Sequence, residues 1–315
     1  MFLLVNIILF VLASIILVKS GAIVVKSLTH LSHIFGLKEF MMSFVLMSVA
    51  TSIPELFVGL TAAWQGEPLL SLGNVFGASI ADLTLVAGIA AILGKGIRFH
   101  NKLAEKESVQ AGLIALLPLC LLLDKKLTRF DGVLLLLAVV FYLLFLSYDR
   151  KSTTKIYHHH NQPPKFKNIM YLIAGLVLLL LSAKGIVMSA TAIAVALDLP
   201  VIIIGLLVVA LGTTLPELVF STRSALTGHE EMVLGNIFGS IVIKATIVLG
   251  IVAIISPFSV SHQPALLLAA IMFLLSVLCL LIFIRTKRAL SWQEGLILLF
   301  LYLIFVVGEF IFFNQ

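Results

Sequence analysis

Charged residues are scarce in this chain, and their scarcity excludes most soluble folds. Asp, Glu, Lys and Arg make up 11% of the 315 residues, whereas a typical soluble domain has about 25%. Hydrophobic residues make up 61%, and the mean hydropathy is +1.19. This leaves too little polar surface to cover a water-soluble globule. The composition therefore predicts an integral membrane protein.

Other features are also missing, and each absence excludes a class of protein. Only two cysteines are present, both in apolar runs, so no disulfide framework is expected. The net charge of +6 is not gathered in a polar basic stretch, which argues against a nucleic-acid partner. The first apolar run lacks a charged start and a cleavage site, so it is interpreted as a retained span. No His-Glu-x-x-His motif, Gly-x-Gly-Asp pair or Ser-His constellation lies in the apolar segments, so an enzyme is not expected.

Ten apolar segments are candidates for membrane spans, for which about 20 residues are needed. They cover approximately 2–19, 39–64, 69–94, 108–123, 131–148, 168–196, 201–226, 231–255, 265–284 and 293–313. None shows the alternation of apolar and polar residues that a membrane β-barrel requires. We therefore predict an all-α integral membrane protein with ten transmembrane helices.

The positions of Lys and Arg predict the orientation, because cytoplasmic loops carry an excess of both. With the N-terminus outside, fifteen of the 21 cations fall in inward loops. Only Lys125, Lys126 and Arg129 fall in outward loops, and the remaining three lie within spans. This distribution predicts a multi-pass protein of the cell (inner) membrane with both termini outside the cytoplasm.

Two motifs occur twice, at the same separation of 162 residues. Thr-Ser-Ile-Pro-Glu-Leu begins at Thr51 and Thr-Thr-Leu-Pro-Glu-Leu at Thr213, while Gly-Asn-x-Phe-Gly begins at Gly73 and again at Gly235. The chain is therefore predicted to be a duplicated five-helix unit. Because five is odd, the second copy enters the membrane from the opposite side, which gives two inverted-topology repeats. The predicted parts are a first repeat over 1–148 with motifs 48–60 and 73–88, a cytoplasmic linker over 149–167, and a second repeat over 168–315 with motifs 210–222 and 235–250.

The repeated motif places a carboxylate, Glu55 or Glu217, deep within each apolar half. Burying a charge in the bilayer costs about 2.5–3.5 kcal/mol, so such residues usually face a cavity or a partner. The preceding prolines, Pro54 and Pro216, each free a main-chain carbonyl four residues earlier. Carbonyls, hydroxyls and carboxylates supply only oxygen, which hard cations such as Ca²⁺ prefer. The alternative is that each Pro-Glu pair simply kinks its helix, but two copies meeting at the repeat interface favour a cation site.

The second motif adds further polar residues. Asn74 and Asn236 are related by the repeat and are candidates either for ligation or for hydrogen bonding between helices. The glycines around them form Gly-x-x-x-Gly pairs, which mainly allow helices to pack closely. Asp82 and Lys244 follow, also 162 residues apart, so here the two halves carry opposite charges.

These motifs, in a ten-span chain with both termini outside, resemble the sodium/calcium exchanger family of cation/Ca²⁺ antiporters. The resemblance covers essentially the whole chain, which is similar to the minimal prokaryotic members that lack a large regulatory loop. It implies calcium-binding carboxylates at Glu55 and Glu217 and coordinating threonines at Thr51 and Thr213. It also implies sodium-site hydroxyls at the following positions: Ser52, Thr214 and Ser240.

The chain departs from the family pattern in the second motif. Ala78 stands where the first repeat usually has a hydroxyl, and Lys244 stands where the second repeat is expected to have an Asp. An ammonium there is a tethered cation, which would pair with Asp82 or fill a position that a transported ion otherwise uses. The pattern predicts fewer sodium ions per cycle than the family norm, or coupling to protons instead.

The function predicted from these residues is exchange of Ca²⁺ for Na⁺ by alternating access. The alternatives are an H⁺-coupled Ca²⁺/cation antiporter and a non-transporting relative that senses cations. The expected partners are inorganic cations and the lipid bilayer, with no cofactor and no obligatory protein partner. The metal-site candidates are Glu55, Glu217, Thr51, Thr213, Ser52, Thr214, Asn74, Asn236, Asp82, Ser240 and Lys244.

Overall fold

The structure, a computed structural model, is almost entirely helical. It describes residues 2–35, 39–66, 68–98, 102–148, 165–196, 210–260, 264–287 and 289–313. Most of the predicted linker, 149–164, and the start of the predicted span 201–226 lie outside these residues.

Fifteen α-helices are assigned within the described residues. Helices α1 to α9 are Phe2–Phe35, Glu39–Met42, Ser48–Thr51, Ile53–Trp64, Pro68–Ala81, Ala87–Leu93, Lys102–Ala115, Leu117–Leu121 and Arg129–Tyr148. Helices α10 to α15 are Lys165–Ala196, Ala210–Leu226, Glu230–Ile243, Leu249–Ile255, Pro264–Lys287 and Trp292–Phe313. Three π-helical turns, Ser43–Met47, Asp82–Val86 and Lys244–Val248, continue α2 into α3, α5 into α6 and α12 into α13. A 3₁₀ turn, Leu122–Asp124, follows α8.

Among the described residues, seven helical stretches are long and apolar enough to cross a membrane, and a bent pair would make an eighth. The seven are Val5–Leu31, Ser71–Leu93, Lys106–Asp124, Arg129–Leu146, Glu230–Ile255, Leu266–Arg285 and Trp292–Glu309. The bent pair is Phe40–Thr51 with Ile53–Trp64. In the sixth predicted span, the apolar stretch is the shorter Phe166–Ser182. A multi-pass helical membrane protein is thus confirmed.

In the described part of the chain, four two-residue strands, β1 to β4, connect the two halves. They are Ile97–Arg98, Lys126–Leu127, Phe258–Ser259 and Ala289–Leu290. β1 pairs antiparallel with β4, with Ile97 opposite Leu290, and β2 pairs antiparallel with β3, with Leu127 opposite Phe258. Each pair therefore hydrogen-bonds a segment of the first half to a segment of the second half. The sequence analysis predicted only helices and missed these strands.

Local features recur between the halves at nearly the same separation as the motifs. The π turns that begin at Asp82 and Lys244 are 162 residues apart. Helices α9 and α15 start with matching reciprocal hydrogen bonds. In α9 the Thr128 backbone N–H donates to Asp131 and the Asp131 N–H to the Thr128 hydroxyl, and Ser291 and Glu294 repeat the arrangement in α15. These capping boxes satisfy N–H groups at each helix start.

Close backbone contacts between the halves recur in the same way. A Cβ added to Gly88 would lie 2.8 Å from the carbonyl oxygen of Gly295. A Cβ added to Gly250 would lie 3.0 Å from the carbonyl oxygen of Gly132. Helix α6 therefore approaches α15 through glycine, as α13 approaches α9, because no larger residue fits there.

Two hydrophobic clusters fill the interior. The larger involves both halves and contains Phe44, Phe76, Phe238 and Phe273 among its fully buried side chains. The smaller lies where α1 and α10 pack on each other and on α11. Large apolar side chains cover the outside of the bundle, as expected for helices that face lipid.

Candidate ion-binding site

The first Pro-Glu motif begins at an interruption between two helices. Helix α3 ends at Thr51, Ser52 has φ −82° and ψ 0°, and α4 starts at Ile53 with Pro54 in its first turn. A proline is well accommodated there because the first N–H groups of a helix have no intrahelical acceptor. The helical stretches Phe40–Thr51 and Ile53–Trp64 meet at 43°. The break places Glu55 at the start of a new helix in the interior of the protein.

The second Pro-Glu motif differs, because Pro216 lies inside the continuous helix α11. In this half the proline does not end the helix. One proline removes a single hydrogen bond of the helix, and neighbouring helices support such residues within a membrane bundle. Glu217 therefore lies in the middle of a helix rather than at a helix start.

Three carboxylates converge on the ammonium of Lys244. The Lys244 Nζ lies 2.9 Å from Asp82 Oδ2, 3.3 Å from Glu55 Oε1 and 3.3 Å from Glu217 Oε1. All four side chains are fully buried. The cluster joins both halves of the chain and has a formal charge of −2, because three carboxylates face one ammonium.

Several oxygens of this cluster have no hydrogen-bond donor within the described part of the chain. They are Glu55 Oε2, Glu217 Oε2, Asp82 Oδ1, the Ser52 hydroxyl and Asn236 Oδ1, whereas Oε1 of each glutamate faces the Lys244 ammonium at 3.3 Å. Burying a polar group without a partner is costly, and this is most pronounced for a charge. The site therefore presents a set of desolvated oxygen ligands with excess negative charge, which suits a hard cation.

Asn236 is held in a defined orientation by a residue that the sequence analysis missed. Its Nδ2 donates to the Ser221 hydroxyl at 3.0 Å and to the Glu217 carbonyl oxygen at 3.5 Å. These contacts leave the amide oxygen, Oδ1, as the free acceptor of Asn236. The repeat comparison gave no signal for Ser221, because the equivalent position is Gly59. Its position one helical turn after Glu217 could have indicated that the two side chains lie on the same face of the helix.

The remaining predicted residues surround this cluster. The Thr51 hydroxyl donates to the Met47 carbonyl at 3.1 Å and lies 3.5 Å from the Ser240 hydroxyl, which connects α3 to α12. Thr214 is buried and Thr213 half-buried on α11. Asn74 is half-buried, and its Nδ2 has no partner among the described residues.

Helix α12 packs tightly against the broken helix of the first half. A Cβ on Gly239 would clash with the Ser48 side chain, and the Ser48 hydroxyl donates to the carbonyls of Gly235 at 3.3 Å and Asn236 at 3.2 Å. Gly235 and Gly239 therefore have a packing role, whereas a Cβ on Gly73 or Gly77 would meet nothing within 4 Å, so the packing role expected for the first pair is wrong. The second pair brings the helix that carries Asn236 and Ser240 against the helix that carries Thr51.

No cluster of three His, Cys, Asp or Glu side chains within the described ranges is arranged as a resident metal site. The carboxylates gather instead around a cation that belongs to the protein. A net-negative cluster of oxygen ligands at the interface of two repeated motifs is typical of a cation transporter.

Comparison with known proteins agrees with this geometry. The profile of the family described as "Sodium/calcium exchanger protein" matches residues 5–148 and 167–311. The chain belongs to the sodium/calcium exchanger family. The resemblance predicted from the motifs is thereby confirmed, and the exchanger is a multi-pass membrane transporter of the Na⁺/Ca²⁺ antiporter type.

Individual relatives cover nearly the whole exchanger chain. "Putative antiporter CaxA" of Alkalimonas amylolytica is 31% identical, covering 90% of this chain and 92% of the relative. "Sodium/calcium exchanger MaX1" of Methanosarcina acetivorans is 27% identical, covering 96% and 98%. A solved structure of the sodium-calcium exchanger NCX_Mj, soaked with Na⁺ and Sr²⁺, matches with a TM-score of 0.86 at 26% identity, covering 97% and 98%.

Proposed function

We propose that this exchanger carries Ca²⁺ and Na⁺ in opposite directions through one site, in which the Lys244 ammonium is a permanent cation. The observation that carries the proposal is the contact of the Lys244 ammonium with carboxylates from both halves, Asp82, Glu55 and Glu217. The excess charge of −2 is balanced by one Ca²⁺ or by two Na⁺. Exchange at that ratio moves no net charge across the membrane.

In this proposal the two glutamates are the exchangeable ligands. Each has a second oxygen, Oε2, that is buried and has no donor among the described residues. The other candidate ligands are Thr51, Thr213, Ser52, Thr214, Asn74, Asn236 and Ser240. Ca²⁺ and Na⁺ compete for these oxygens, so the site opens alternately to each side only when its charge is balanced.

The proposal includes the membrane arrangement predicted from the sequence. Two inverted five-helix repeats, 1–148 and 168–315, form ten spans and are joined by a cytoplasmic linker over 149–167. The recurrence of π turns, capping boxes and glycine contacts at matching positions supports the repeat. The bias of Lys and Arg supports termini outside the cytoplasm and insertion in the inner membrane. Inorganic cations and lipid are the partners, without a cofactor or an obligatory protein partner.

The test is uptake of radioactive Ca²⁺ into proteoliposomes loaded with Na⁺, at several imposed membrane potentials. We expect uptake that requires the Na⁺ gradient and a rate that does not vary with potential. In Lys244→Asp the tethered cation is replaced by a carboxylate, so more Na⁺ is carried per cycle and the rate becomes potential-dependent. Glu55→Gln and Glu217→Gln are the matched inactive controls, because they preserve side-chain size and remove a ligand charge.

Three outcomes would contradict the proposal. Uptake at the level of protein-free liposomes under both Na⁺ and pH gradients would exclude transport. Uptake driven by a pH gradient alone would replace Na⁺ with H⁺ as the counter-ion. Equal potential dependence in the parent protein and Lys244→Asp would show that Lys244 does not set the ion ratio.

A further inference from the structure

A cavity lined by basic side chains lies between α1 and the end of α11, away from the carboxylate cluster. Its volume is about 400 Å³. Lys26 and His30 line it from α1, Arg223 lines it from α11, and His229 lines it from the turn before α12. A cavity with this lining attracts an anion.

The two permanent cations of this cavity lack acidic partners within the structure. No carboxylate of the described residues lies within ion-pair distance of Lys26 or Arg223. Glu230 and Glu231 follow His229 on α12 but do not line the cavity. The Arg223 Nε is buried and has no acceptor among the described residues. A buried cationic donor without an acceptor is costly, so an anion from outside would stabilise it.

The distance of the cavity from the central carboxylate places it near the lipid headgroups. Thr227 also lines it, and ten residues of helix separate Thr227 from the central Glu217, which corresponds to about 15 Å. Half of the hydrocarbon core is also about 15 Å, so with Glu217 at the midplane, as in the proposed arrangement, Thr227 lies at the edge of the hydrocarbon core, next to the headgroups. The neighbouring α1 residues Ile16, Val18 and Ile23 are exposed and offer an apolar surface to an acyl chain.

We propose that this cavity is a phosphate-binding site that takes the headgroup of an anionic phospholipid. Lys26 and Arg223 supply the charge, and the hydroxyls of Thr29 and Thr227 line the same cavity. Basic pockets between membrane helices on the cytoplasmic side are suited to such headgroups. The assignment to the cytoplasmic leaflet rests on the proposed orientation, whereas binding does not depend on transport. A bound lipid would link α1 to the helix that carries Glu217.

The test measures lipid binding rather than transport, so its failure is distinguishable from failure of the proposed function. Thermal unfolding of the purified protein is followed during titration with phosphatidylglycerol, with phosphatidylcholine and with inorganic phosphate. We expect phosphatidylglycerol alone to raise the midpoint. Lys26→Gln and Arg223→Gln should each weaken the apparent affinity about fivefold, since each cation near an anionic lipid contributes about 1 kcal/mol.

Matched variants make the result specific. Arg98→Gln removes an exposed cation that is predicted to lie on the same membrane face but is outside the cavity, and should leave the affinity unchanged. Arg223→Lys should retain most of the affinity, because it keeps the charge. Lys26 is exposed, so Lys26→Gln tests the site even if Arg223→Gln does not fold.

Three results would overturn the inference. Equal stabilisation by phosphatidylcholine would show that charge is not recognised. Equal stabilisation by inorganic phosphate would assign the cavity to a free anion. An equal loss in Arg98→Gln would show general surface attraction, with Lys26 and Arg223 simply extending toward the interface.

Discussion

The Lys244 ammonium donates a hydrogen bond of 2.9 Å to Asp82, the residue at the same position in the other half of the chain. Both residues are fully buried, and each begins a π-helical turn. A π turn widens the helix locally and is frequently found at functional sites. The two repeats therefore contact each other at the position where they carry opposite charges.

Asp82→Asn tests the strength of this pair. The variant retains the side-chain volume but removes a charged acceptor, so the free energy of unfolding should fall by about 1.5–3 kcal/mol. Calcium affinity should also fall, because the cluster loses one of its negative charges. Denaturant unfolding and Ca²⁺ uptake measure the two effects. Asp124→Asn, at an exposed position, is the control and should remain within about 0.5 kcal/mol of the parent.

Lys244→Met should make stability depend on added cations. Without the ammonium, three buried carboxylates remain uncompensated, and removing one partner of a buried pair costs about 3–5 kcal/mol. Na⁺ or Ca²⁺ would bind the folded state and restore much of the loss. The measurement is the unfolding midpoint as a function of cation concentration, which should rise more steeply than in the parent. A midpoint insensitive to cations would contradict a shared role for Lys244 and the transported ion.

Ser221→Ala tests the orientation of Asn236. The substitution removes the 3.0 Å acceptor of Asn236 Nδ2, and an unsatisfied buried donor costs about 1–3 kcal/mol. We expect the Ca²⁺ concentration for half-maximal uptake to rise about tenfold. Ser276→Ala is the matched control, because Ser276 is also fully buried but donates only to Met272 of its own helix. If both variants transport like the parent, Ser221 has no positioning role.

Gly239→Ala tests the close contact between the halves. The new Cβ would lie 2.7 Å from the Phe44 carbonyl oxygen and would clash with Ser48, so the backbones must separate. Overpacking of this kind costs about 1–3 kcal/mol. In Gly185→Ala the Cβ meets Ala13 at an ordinary 3.4 Å, and the higher helix propensity of alanine should offset any loss. Thermal unfolding of both variants measures the difference.

Much of the site could be predicted because its residues are marked by repetition. Glu55 and Glu217 share one motif, and Asp82 and Lys244 share one position, so the common separation predicted that they are related. Burial of a charge in an apolar segment then indicated a partner or a cavity. The structure brings these four side chains into contact.

The features that the sequence did not predict are not indicated by a repeated motif. Ser221 has only glycine at the equivalent position, so the repeat comparison could not single it out. The strands contain only two residues each. The partners β1 and β4 are almost two hundred positions apart in the sequence, and β2 and β3 are more than one hundred apart, so no local pattern reveals the pairing.

The four short strands also limit how the protein can move. β1 and β2 lie at opposite ends of the helical stretch Lys106–Asp124, and each is hydrogen-bonded to the other half of the chain. Rocking one complete half against the other would break the main-chain hydrogen bonds of a strand pair at one end of the bundle. We expect the displacement that exposes the ions to involve elements whose described residues bear no strand, such as the long pair α1 and α10, which pack on each other and on α11.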